Sequence, residues 1–125
     1  MKKLLLISTA VLALTVAHGQ TTTSNFYGTW FLVYTHPGSK DTLTFSRTSH
    51  TPHNWGQRIE INKDGEFVDA DDEKCGNDNN IHHTVGKWTF NNQTNIFETT
   101  IPIYFKDKKY KITSLTSDTL IFVKP

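Results

Sequence analysis

The chain has 125 residues, with 13 basic side chains, 12 acidic ones and a single cysteine. This near-neutral balance leaves no electrostatic footprint for nucleic acid or an anionic membrane surface, and the length allows one domain. One cysteine excludes an intramolecular disulfide.

Lys2 and Lys3 precede an apolar run from Leu4 to Ala17 that is too short for a comfortable membrane span. Ala17-His18-Gly19 then supplies small residues where a signal peptidase cuts. These features predict a cleaved secretory signal over residues 1–19 and a secreted or periplasmic protein. No cysteine follows the cut, so a lipoprotein anchor is not expected. Residues 20–125 form the domain, and no later segment reads as a membrane span.

After a polar lead-in over 20–25, no segment shows a helical apolar period for more than a turn. Alternation and turn chemistry recur instead, which predicts an all-β sandwich or barrel. The first strand is read over Tyr27 to Thr35, with Trp30 and Leu32 on one face. Thr42 to Arg47 is a second, with Leu43 and Phe45 on one side. Residues 48–55, which include Pro52, read as a loop or irregular edge. Gln57 to Asn62 is a strand with Ile59 and Ile61 inward. Asn62-Lys63-Asp64-Gly65 is a hairpin turn, and Gly65 to Ala70 returns. Asp71 to Asn80 is the longest polar loop. Ile81 to Phe90 follows, with Trp88 and Phe90 sharing a face. Ile96 to Phe105 is read as one strand, with Phe97, Thr99, Ile101 and Ile103 alternating and Pro102 at an edge or bulge. Tyr110 to Leu115 and Leu120 to Val123 form the last hairpin. The total is about eight strands in an antiparallel meander, and closing it into an up-and-down barrel removes both free edges.

Two segments carry a resemblance. Gly28-Thr29-Trp30, just beyond the signal, resembles the opening motif of lipocalins. Gly86-Lys87-Trp88 through the stretch from Tyr110 to Leu120 resembles small bacterial lipocalin-like domains of the calycin type. The resemblance implies an eight-stranded barrel, with Trp30 packed across its closed end and a small apolar or amphipathic molecule as ligand. The late arginine that packs on the first tryptophan in lipocalins is missing, since no arginine follows Arg58, and so is a C-terminal helix.

Inward residues of the later strands are the candidate ligand-binding set: Trp88, Phe90, Phe97, Ile101, Ile103, Tyr110 and Ile112. Small-molecule pockets are mostly apolar with few polar groups, although the same side chains also suffice to fill a small barrel. No nucleophile sits beside a histidine and no carboxylate pair lies outside the polar loop, so neither an enzyme nor a cofactor is expected. His50, His53, His82 and His83, with Cys75 or Asp78, match no metal-ligand spacing, and surface or hydrogen-bonded histidines are the default. Adjacent His82 and His83 face opposite sides of a strand. Cys75 reads as a small residue packed under a loop. The alternative to ligand binding is a filled barrel acting as an interaction module in the cell envelope, anchored by Trp55 in the 48–55 loop.

Overall fold

The computed structural model describes residues 25–33, 41–51, 56–75 and 78–125. The signal segment, His53 and Trp55 lie outside the described residues. No helix among the described residues is long and apolar enough to cross a membrane.

Eight strands form one closed antiparallel ring: β1 (Gly28–Val33), β2 (Thr42–Ser46), β3 (Gly56–Ile61), β4 (Glu66–Cys75), β5 (Asp78–Asn91), β6 (Ile96–Thr99), β7 (Lys109–Leu115) and β8 (Thr119–Val123). Period-two alternation explains the short strands. Trp30 and Leu32 on β1, Leu43 and Phe45 on β2, Ile59 and Ile61 on β3, and Leu120 and Phe122 on β8 are all buried, with their neighbours partly exposed. From β3 to β8 each strand pairs with the next, as a meander requires.

The neighbour order departs from a strict meander at one place. β1 pairs with β3, and β2 closes the ring against β8, with Leu43 opposite Phe122 and Phe45 opposite Leu120. The first hairpin is thus set into the wall between β3 and β8, with its second strand against β8. The chain leaving β2 must pass β1 to reach β3.

Two expected elements differ in extent. The polar loop at 71–80 is largely strand: the ladder between β4 and β5 continues from Asp71↔His82 to Cys75↔Asp78. Backbone pairing needs no apolar side chain once the register is fixed lower in the hairpin, so composition misleads there. The expected strand from Ile96 to Phe105 ends at Thr99. Pro102 has no N–H for a ladder, and Thr99 Oγ1 donates to Ile101 O at 2.6 Å, folding the chain into a turn.

The ring has two unlike ends. The turns at 62–65, 92–95 and 116–118 gather at one, here called the floor. The residues before β1 fold in beneath it. Phe26 is fully buried, and Trp30 Nε1 donates to its carbonyl at 2.8 Å. The 100–108 segment rises from beside Lys87, where Thr100 N donates to its carbonyl, past Asp69 of β4 to the opposite end, the mouth, where Phe105 lies beside Gln57 at the start of β3.

Candidate functional site

The seven sequence-predicted ligand-binding residues fall in one cluster. Phe97, Ile103, Tyr110 and Ile112 are buried in the core, and Trp88, Phe90 and Ile101 are half-buried against it. Phe97 is the hub. Its ring lies 5.2 Å from Phe122, 5.6 Å from Trp88, 5.9 Å from Phe26 and 6.1 Å from Phe67. Phe122 in turn stacks on Tyr110 at 5.5 Å and meets Phe45 edge-on at 5.7 Å. Rings spaced like this are in packing contact. Among the described residues, the floor half of the interior is occupied by these side chains. Trp88 also spends its indole N–H on Asn62 O at 2.9 Å, which fixes the ring as part of the wall.

The two Gly-x-Trp segments owe their glycines to different causes. Gly28 has φ +113, and a Cβ there would lie 2.7 Å from Arg47 Nη1. Arg47 sits over Trp30, with its guanidinium carbon 3.6 Å from the ring centroid, and donates to Thr29 O at 3.3 Å and Asn25 O at 2.9 Å. An arginine therefore does cover the first tryptophan, supplied from the end of β2 rather than from the end of the chain. Its partial burial lowers its pKa by desolvation; a guanidinium is charged at neutral pH throughout. Gly86 has ordinary backbone angles. A Cβ there would meet Thr100 Oγ1 at 2.6 Å and Ile101 Cγ2 at 2.9 Å, so the glycine lets the 100–108 segment approach β5 closely.

That segment builds the second site. At the mouth the inward positions turn polar. Gln57, Asp69, Asp71, His82 and Thr84 line a cleft of about 160 Å³ with Phe105. Gln57 is 3% exposed and Asp69 8%. The Gln57 amide N–H donates to Asp69 Oδ1, and the Tyr104 backbone N–H donates to Asp69 Oδ2 at 2.9 Å. Burial pushes the Asp69 carboxyl above its usual range. The hydrogen bonds from Tyr104 and Gln57 oppose that shift, and the charge on Asp71 adds to it. Gln57 Oε1 is buried and accepts no hydrogen bond.

The 100–108 segment is held from below and strained at its tip. Ile103 is fully buried, its N–H donates to Asp107 O at 3.0 Å, and Asp107 N donates to the Tyr110 hydroxyl at 3.1 Å. Burial raises the pKa of that phenol. Tyr104 and Phe105 are consecutive and both have positive φ, 53° and 58°. Left-handed backbone costs a non-glycine residue about 1–2 kcal/mol. Phe105 is also 82% exposed. A bulky aromatic in this conformation, facing solvent at the rim of a polar cleft, brings the fold no packing in return.

The outer face is distinct. Arg58 pairs with Asp72 and Glu60 and reaches His83 Nε2 at 3.2 Å. Ala70 lies between Arg58 and His83 in register, so the long side chain spans it and keeps it from water. His82, on the opposite face, lines the mouth cleft. No group of three His, Cys, Asp or Glu side chains among the described residues is arranged to hold a metal ion.

Sequence reading passed over Gln57, Asp69 and Phe105. A signal was present for two of them: Gln57 shares the inward parity of Ile59 and Ile61, and Asp69 that of Phe67. Polar residues at core parity mark either a defect or a site. No family model, curated protein or solved structure matches the chain.

Proposed function

We propose that this is an exported, lipocalin-like barrel that binds a small amphipathic molecule without catalysing a reaction, and that the ligand sits at the mouth rather than among the floor aromatics. The observation that carries this reading is Phe105, exposed and backbone-strained beside a cleft whose polar walls include the buried Gln57 and Asp69. Strain of this kind persists where function retains it. The filled floor half moves the binding position away from the residues that sequence parity favoured and toward the opposite end.

The test is titration of the full chain with short-chain amphiphiles, read by tryptophan fluorescence and calorimetry, beside Phe105→Ala. Truncating the aromatic should weaken binding about ten-fold, the share expected of one well-placed aromatic contact. Unchanged affinity in Phe105→Ala would remove the mouth from consideration. The packed floor also favours a second reading, a filled barrel that serves as an interaction module in the cell envelope through the 48–55 loop. Under that reading Trp55→Ala abolishes capture of an envelope partner and leaves amphiphile titrations flat in both proteins.

A further inference from the structure

The acceptors of the mouth cleft specify the head group of its ligand, an inference that rests on the mouth-binding reading above. The Gln57 amide has one available orientation. Its N–H donates to Asp69 Oδ1, and turning it over would set an oxygen against a carboxylate oxygen. The orientation that remains directs the amide oxygen to no partner, in a side chain that is 3% exposed and lines the cleft. A buried acceptor without a donor is costly, by about 1–3 kcal/mol, and a bound donor would remove that cost.

The surrounding charge narrows the class of donor. Asp69 and Asp71 occupy the same inward face, two residues apart, and both line the cleft. Each oxygen of Asp69 already accepts one N–H bond and has a lone pair left. His82 stands opposite Asp71 in register, and Thr84 opposite Asp69. An anionic head would meet two carboxylates. A hydroxyl could donate once. An ammonium or guanidinium carries several donors and the charge that the carboxylates favour. The cleft volume of about 160 Å³ is room for roughly five water-sized groups, enough for a head group but not for a long apolar tail. The exposed Phe105 ring at the rim offers a face to the cation or to the first methylenes of the tail. A cation already lies over the neighbouring ring: Lys106 Nζ is 5.6 Å from the Tyr104 centroid.

We propose that the mouth cleft recognises a cationic amine head group, held by Asp69, Asp71 and the Gln57 amide oxygen, on a molecule whose apolar part lies against Phe105.

Three eight-carbon probes with one tail and different heads test this at neutral pH: n-octylamine, n-octanol and n-octanoate, titrated into the full chain. Octylamine should bind at least about ten-fold tighter than octanol, and octanoate weakest, the margin expected of charge-assisted hydrogen bonds over neutral ones. Asp71→Asn, a partly exposed position whose change should leave folding intact, should cost octylamine most of that margin and leave octanol unchanged. Asp69→Asn should act the same way, with its fold checked by circular dichroism. Equal affinities for octylamine and octanol, unaltered in Asp71→Asn, would overturn the head-group assignment while leaving amphiphile binding at the mouth standing. Binding of none of the three would overturn both.

Discussion

The floor and the mouth of this barrel are built from the same strands and obey opposite rules. On β3 the inward side chains run from Gln57 at the mouth to Ile59 and Ile61 below, and on β4 from Asp71 and Asp69 down to Phe67. The floor is aromatic and closed by Phe26, and the indole N–H groups of Trp30 and Trp88 are both hydrogen-bonded to backbone carbonyls. The mouth keeps a buried carboxylate, an orphan amide oxygen and an exposed phenylalanine. If the mouth is the binding end, as proposed, stability and recognition are separated along the barrel axis. A change at the floor should affect folding first, and a change at the mouth binding first.

The strongest way to break that contrast is at the hub. Phe97→Ala removes the ring that joins Phe26, Phe67, Trp88 and Phe122, and should destabilise the protein by about 3–5 kcal/mol in urea unfolding. A loss below about 1 kcal/mol would show that the floor is loosely packed and able to admit a ligand.

Asp69→Ala comes next. It strands the Tyr104 N–H and the Gln57 amide together, at about 1–3 kcal/mol for each group left unpaired. Asp69→Asn should be nearly neutral in stability, because an amide oxygen can still accept from Tyr104 and a turned Gln57 can accept from its NH₂. Asp69 also predicts a pH effect of definite sign. Its folded pKa lies above the reference value of 3.8, so the folded state holds this proton more tightly than the unfolded chain does. Its contribution is full below 3.8 and is lost as pH rises through the folded value. The stability curve of Asp69→Asn should lack that fall.

Arg47→Ala tests the floor from outside. It removes the guanidinium over Trp30 and two hydrogen bonds to backbone carbonyls. A loss of about 2 kcal/mol is expected, with Arg47→Lys restoring less than half because an ammonium cannot stack flat and donate twice. The smallest effect has the opposite sign. Phe105→Asn should stabilise the protein by about 0.5–1 kcal/mol, since asparagine tolerates positive φ, and should weaken amphiphile binding. Stabilisation with binding intact would detach the strained aromatic from function.

Most of the barrel wall was legible in the sequence because one buried face imposes alternation on every short strand. Trp30 and Leu32, Leu43 and Phe45, and Leu120 and Phe122 could be assigned inward on parity alone. Partner choice was not legible. Nothing local in Thr42–Ser46 states that it pairs with β8 instead of β3, because that choice depends on closure of the whole ring. The 71–80 hairpin was hidden by its composition, and the end of β6 by an alternation that continues through Ile101 and Ile103 after the ladder has stopped. The candidate site was legible only in its chemistry. Gln57 and Asp69 occupied inward positions in plain view, but their meeting requires β3 beside β4, and the strain at Phe105 has no sequence signature.

The seating of β2 against β8 has a consequence for how the molecule reaches its native state. Residues 42–46 and 119–123 are far apart in sequence, and the ring cannot close until both are present. Local hairpins from β3 through β8 can form early, whereas this last seam joins distant segments and should be slow. Until it forms, β2 and β8 each present an unpaired edge to other chains. Closure is thus the step at which folding competes with aggregation. Substitutions along that seam, such as Leu43→Ala or Phe122→Ala, should lower refolding yield by more than their effect on equilibrium stability alone would suggest.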